Sequence, residues 1–174
     1  LAAGNTVVAK PSEITPITAF LLSKICIEAG LPRGILNIVH GHGAKVGDPL
    51  TTHPDTPIIS FTGGTVTGKH IASVTAPMFK KISLELGGKN PNIIFADANF
   101  DKAVKMAVKA AFSNQGQICL CGSRLFIQKE IYADFKQALL DKVSQLTVGD
   151  PKKESSNLGA VVSKAHMNKI LGKI

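Results

Sequence analysis

"PIISFTGGTVTGKHIASV", residues 57–74, holds the unit whose repetition decides the fold. "PIISF" (57–61) is an apolar, β-rich run, Gly63 and Gly64 interrupt it, and from Thr65 to about Val74 a helical pattern follows. The same rhythm extends to both sides. Upstream, "NTVVAK" (5–10) reads as a strand, and Thr15 with Pro16 supplies an N-cap and a first-turn proline for a helix through Ile25 to Ala29. Gly30 and Pro32 stop that helix, "ILNIVHG" (35–41) is the next strand, and a short helix is predicted around 44–52. Downstream lies the strand "KISLEL" (81–86). Nearly all-apolar strands alternating with helices predict an α/β fold with a parallel sheet covered on both faces.

After "LGGKNP" the order is a strand "NIIFA" (92–96), a long helix from about Phe100 to Ser113, the segment "NQGQICLCG", and a strand "RLFIQ" (124–128). A helix from about Ile131 to Gln145, a loop "VGDPKKESSNLG" and a last helix from about Lys164 complete the chain. Gly87 and Gly88 with Pro91 mark the hinge expected between two α/β units, 1–87 and 88–174.

Composition sets the outer bounds. With 174 residues, 44% of them hydrophobic, the chain can bury a core, and no apolar run is long enough for a bilayer span. Three widely spread cysteines and the lack of a signal segment predict a reduced, cytoplasmic protein. The net charge of +8 raises the question of nucleic acid. Thirteen of the twenty Lys and Arg lie from Lys89 onward, but mostly singly along amphipathic helices, and there is one Tyr to stack on bases. Solvated helix faces account for that charge, so neither a nucleic-acid nor a membrane partner is expected. The absence of a starting Met and a helical pattern running to the last residue lead us to expect a fragment.

Two stretches suit a nucleotide. The glycines of "TGGTVTGK" stand between a strand end and a helix start, where backbone can approach a pyrophosphate and the helix offers free N–H groups. The pattern is not G-x-G-x-x-G, and a plain tight turn would read the same way. In "AKPSE", Lys10 and Glu13 follow a parallel strand at its carboxyl end, the ligand side of an open α/β sheet. A carboxylate there can accept both hydroxyls of an adenosine ribose and would repel a 2′-phosphate, favouring NAD over NADP; a surface Lys and Glu in a proline turn is the other reading.

"NQGQICLCGSR" (114–124) carries Cys119 and Cys121 one residue apart. A metal would need further ligands, yet the remaining cysteine, Cys26, is 93 residues away, and the five histidines form no HxxH. A Cys-x-Cys disulfide is strained and out of place in a reducing compartment. One reactive thiol is left, with the choice between the two open. Glu85, a carboxylate in the apolar strand "KISLEL", is expected to be buried, with a raised pKa suited to a general base; a salt-bridged strand glutamate is the alternative.

Taken together and in order, "AKPSE", "SFTGGTVTG", "LELGGKNP" and "NQGQICLCGSR" resemble the aldehyde dehydrogenase superfamily across essentially the whole chain. The resemblance implies a Rossmann-like coenzyme-binding unit followed by the start of a second α/β, catalytic domain. It implies Cys119 as the nucleophile, being the Cys two residues after Gln117 in the family's G-Q-x-C pattern, and Glu85 as the general base. It places Lys10 and Glu13 at the adenosine ribose, Gly43 near the adenine, Gly63, Gly64 and Thr65 under the pyrophosphate, and Leu86 with Gly87 near the nicotinamide. One departure stands out: Gly64 replaces the serine of the family's F-T-G-S-T, so weaker cofactor binding is expected.

The implied reaction oxidises an aldehyde to a carboxylic acid with NAD, through a thiohemiacetal and a thioester on Cys119. "ICLCGSR" with "ELGGKNPNIIF" looks closest to the aminomuconic and hydroxymuconic semialdehyde dehydrogenases, and a full-length homodimer or homotetramer is implied. Two other readings carry less. A non-catalytic structural relative has no use for both Cys119 and Glu85, and a nucleotide-binding module with a redox-sensing thiol leaves the ordered motifs unexplained.

Overall fold

The computed structural model describes residues 1–174, and the chain divides into two compact units, Leu1–Leu86 and Gly87–Ile174. In the first unit, β1 (Val7–Ala9) pairs parallel with β2 (Leu36–Ile38), and α1 (Ile17–Glu28) makes the crossover between them. A π-helical turn at Gly43–Gly47 runs into α2 (Asp48–Thr52). Next, β3 (Ile58–Gly63) pairs parallel with β4 (Lys81–Leu86), and the connecting helix is α3 (Thr65–Thr75).

Glycine ends α1 as expected. Gly30 takes φ +78°, Leu31 N–H donates to Cys26 O (2.9 Å) and Gly30 N–H to Ile27 O (3.0 Å), the paired bonds of a Schellman cap. The start of α1 differs from the expectation: Pro16, not Thr15, occupies the cap position, and its carbonyl accepts the first helical bond from Phe20 N–H (3.0 Å). Proline's missing N–H costs nothing there, since the first N–H groups of a helix have no partner within it.

The strands are laid out in pairs, β1–β2, β3–β4 and β5–β6, with no ladder joining one pair to the next. Three-residue β1 and β2 offer outer edges too short to carry further pairing. Nor are both faces covered. Along β4, Leu84 and Leu86 turn inward toward the side of α3, while Ser83 and Glu85 lie exposed on the other face, the period-two alternation of a one-sided strand. Helix α1 is apolar on all sides, yet none of its residues is buried. A helix of that composition is built to sit inside a larger structure.

In the second unit, β5 (Pro91–Ile94) pairs parallel with β6 (Arg124–Ile127), connected through α4 (Phe100–Phe112). Helices α5 (Tyr132–Ser144) and α6 (Lys164–Leu171) follow. Asn99 caps α4 by accepting from Lys102 N–H (3.0 Å). The core is Ile94, Val104, Ala107 and fully buried Phe135, with Phe100 edge-on to Phe135 at 5.6 Å between ring centres. It anchors α4 and β6, the two elements that flank the cysteine segment.

Candidate active site

The first cluster forms where the parallel strands β1 and β2 end. Lys10 Nζ donates to Pro11 O (2.7 Å), to Gly41 O (3.0 Å) and to Glu13 Oε2 (3.2 Å), so one ammonium ties the two strand ends together. Gly47 lies beside the Lys10 stem, where even a Cβ would meet it only at an ordinary van der Waals distance of 3.9 Å. Gly41 is required: its φ is +152°, and a Cβ there would lie 2.4 Å from Val46 Cγ2. The sequence reading missed Gly41, because only the approach of the following π-turn creates the need. Gly43 opens that turn, with free space around it.

Glu13 is held as an anion. Its own backbone N–H, then the Lys10 hydrogen bond and charge, lower its pKa below the ordinary 4.5, and His42 Nδ1 lies 3.9 Å from the other carboxylate oxygen. The depressed pKa means that anything the carboxylate contributes is complete above the ordinary value and is lost only as the pH falls through the lower, folded one.

The second cluster forms at the carboxyl ends of β3 and β4, where Gly63 is paired with Leu86 and Thr62 with Glu85. Gly64 is the N-cap of α3 with extended backbone (φ −76°, ψ 147°), and no side chain fills the space around it. Thr65 is the first helical residue. The 11-residue α3 thus presents uncapped N–H groups beside a glycine without a Cβ, which fits an anionic, phosphate-bearing ligand. Leu86 instead turns its side chain onto α3, where a Cβ on Gly68 would lie 2.7 Å from Leu86 Cδ2. Any ligand contact by Leu86 or Gly87 is left to backbone.

Glu85 corrects an expectation. It is exposed, not buried, because helix covers only the opposite face of β4.

The third cluster lies wholly in the second unit. Asn114, Gln115 and Gly116 follow α4 with φ of 49°, 57° and 72°, three left-handed residues in a row, and Gln117 N–H donates back to Asn114 O (3.0 Å). A tight turn follows, closed by Cys121 N–H to Ile118 O (3.1 Å), with Cys119 and Leu120 at its apex. Cys119 is exposed and Cys121 buried, and both are free thiols. Gly122 then passes close under α4, donating to Ala110 O (3.1 Å); a Cβ on it would lie 3.1 Å from Asn92 Cβ. Of the two cysteines, only Cys119 presents itself to a reagent from solvent. No group of three or more His, Cys, Asp or Glu comes together to hold a metal ion, and no helix is long and apolar enough to cross a membrane.

The sequence pattern of the aldehyde dehydrogenase family matches residues 1–174. The chain belongs to the aldehyde dehydrogenase family. Within that family it is 50% identical over 170 residues to the human 2-aminomuconic semialdehyde dehydrogenase, and 49% identical to the mouse enzyme of that name. Each alignment takes in 98% of this chain and 35% of the relative, so the chain spans about a third of the length of the aldehyde dehydrogenases it matches. Among solved structures, betaine aldehyde dehydrogenase from Staphylococcus aureus, in complex with NAD+, superposes with a TM-score of 0.96 at 43% identity over 99% of this chain and 34% of that one. An NADP-dependent enzyme from E. coli superposes with a TM-score of 0.93 at 40% identity, over 97% of this chain and 35% of that one. The paired-strand α/β architecture is thus that of the aldehyde dehydrogenase fold.

Proposed function

We propose that this chain is the coenzyme-binding and nucleophile-bearing segment of an NAD-dependent dehydrogenase that oxidises an aldehyde, of the muconic semialdehyde type, to a carboxylic acid. The observation that carries the reading is Cys119 alone at the exposed apex of a fixed turn, with Cys121 buried beside it. Residues 1–87 serve as the coenzyme-binding part and 88–174 as the front of the catalytic domain. Identities of 49 and 50% to 2-aminomuconic semialdehyde dehydrogenases support the substrate class.

The chemistry follows from the residues. Cys119 thiolate adds to the aldehyde carbonyl, forming the C–S bond of a thiohemiacetal, and the developing oxyanion takes a hydrogen bond from the Cys119 backbone N–H. When bound, NAD supplies the hydride acceptor that turns this adduct into a thioester. Glu85 accepts a proton from water, the hydroxide displaces the thiolate, and the carboxylic acid leaves. Lys10 and Glu13 hold the adenosine ribose, Gly43 lies near the adenine, and Gly63, Gly64 and Thr65 cradle the pyrophosphate. Leu86 and Gly87 flank the nicotinamide through backbone. The full-length protein acts as a cytoplasmic homo-oligomer, a dimer or tetramer, without nucleic-acid or membrane partners.

Two expected results test the coenzyme site. Replacing Glu13 by Gln raises the Kd for NAD about 10-fold and that for NADP less, since an ion-assisted pair of hydrogen bonds to the ribose is lost. Because the Glu13 pKa is depressed, that ratio stays flat from about pH 8 to about pH 5 and shrinks only below; calorimetric titration across that range measures it. Replacing Gly64 by Ser supplies the missing cap and a hydroxyl donor in open space. Stability, read by thermal unfolding, then changes by only the few tenths of a kcal/mol that separate Gly and Ser caps, while NAD affinity rises about threefold.

The whole reading is tested by NADH formation by the full-length protein with a muconic-type semialdehyde and a simple aliphatic aldehyde. Turnover with a preference for the former supports it. No NADH from either removes it.

A further inference from the structure

Asn90 stands between the glycine pair Gly87–Gly88 and Pro91, and nothing in the function above uses it. Its side-chain amide donates twice from one nitrogen: Nδ2 to Cys119 O at 2.6 Å and to Cys121 O at 3.2 Å. Its own carbonyl accepts from Arg124 N–H (3.1 Å) at the head of the β5–β6 ladder. One residue therefore fixes both the strand that ends the cysteine segment and two carbonyls of the turn itself. Pro91 prepares it, because a residue before proline is confined to extended backbone.

The rest of the segment shows why such a hold is needed. Upstream of Cys119, the left-handed backbone of Asn114 and Gln115 stores strain, and relief of that strain would let the turn move. Downstream, Leu120 is 82% exposed and contributes no anchoring burial. The turn bond Cys121 N–H to Ile118 O is local and cannot fix the turn against the strands. The two Asn90 bonds, which span 29 and 31 residues, do that. An NH2 group has two hydrogens, and here each meets one carbonyl, so the Cys119–Leu120 peptide plane is set from outside the loop.

We propose that Asn90 is a positioning residue for the nucleophile: by clamping the carbonyls of Cys119 and Cys121 it sets the direction of the Cys119 thiol and keeps Cys121 out of reach. It acts through Cys119 and rests on the assignment of Cys119 as the nucleophile. An amide hydrogen bond of this kind orients without reacting, and misplacement by about 1 Å can cost about 100-fold in rate.

The test uses the full-length enzyme with NAD and aldehyde, comparing wild type, Asn90→Ala and Asn90→Ser, the last keeping one hydroxyl donor. Pre-steady-state NADH formation falls about 10- to 100-fold in Asn90→Ala and recovers in part in Asn90→Ser, with the Kd for NAD within twofold of wild type. In parallel, iodoacetamide labelling read on the peptide that carries Cys119 and Cys121 marks Cys119 alone in wild type and both in Asn90→Ala. Partial unfolding would expose buried Cys121 as well, so labelling is read only on a variant that keeps the wild-type melting temperature, and Asn90→Ser serves where Asn90→Ala does not. A burst rate within twofold of wild type, or unchanged selectivity of labelling in both variants, overturns the proposal. Wild-type enzyme that forms no NADH with any aldehyde defeats the functional reading instead, and leaves the labelling result to judge the clamp alone.

Discussion

In the full-length protein, Cys119→Ala abolishes aldehyde-dependent NADH formation, lowering it by at least about 10³-fold, while NAD binding stays within twofold of wild type. The reason is chemical. Hydride cannot leave a free aldehyde hydrate as readily as the sulfur adduct, and alanine has no lone pair to make that adduct, so removing the nucleophile removes the whole path. Cys121→Ala is the companion. Its thiol is buried at 7% exposure and faces away from solvent, so NADH formation survives its loss. Stopped-flow absorbance of NADH with both variants separates the two thiols. Equal loss in both would mean that the segment, not one sulfur, is what matters.

Glu85→Gln gives a different signature: a burst of NADH close to one per active site, followed by turnover slower than wild type by about 10²- to 10⁴-fold, the range that a general base contributes. In the proposed mechanism acylation of Cys119 does not need the glutamate, whereas hydrolysis of the thioester does. The carboxylate is exposed on the open face of β4 in this chain, within reach of water. A Glu85→Gln enzyme that loses burst and steady state together would assign Glu85 to the first step, or to structure.

The fold was legible in the sequence wherever local rules act alone. Gly30 ends α1 through a left-handed cap, Asn99 starts α4, and "KISLEL" is β4 residue for residue. What was not legible depends on what lies against each element. Glu85 was expected to be buried because an apolar strand suggests cover on both faces, but α3 covers one face and period-two alternation puts Glu85 on the other. Gly41 looks ordinary until the π-turn brings Val46 to it. Asn90 is the clearest case: its partners are backbone carbonyls 29 and 31 residues along the chain, and no spacing rule joins an asparagine to those. The left-handed backbone at Asn114 and Gln115 carries no residue signature beyond the tolerance of asparagine for that region. Exposed Ile17, Leu21, Leu22, Ile25 and Ile27 on α1 fit a chain that spans about a third of its relatives' length.

The most direct test of the central claim is to mix full-length Glu85→Gln enzyme with NAD and aldehyde, quench within the burst, and read the mass of the peptide carrying Cys119 and Cys121. The account predicts an acyl group added to that peptide, located by fragmentation on Cys119 and absent without NAD. An acyl group on Cys121, or none on either cysteine while NADH is formed, would contradict it.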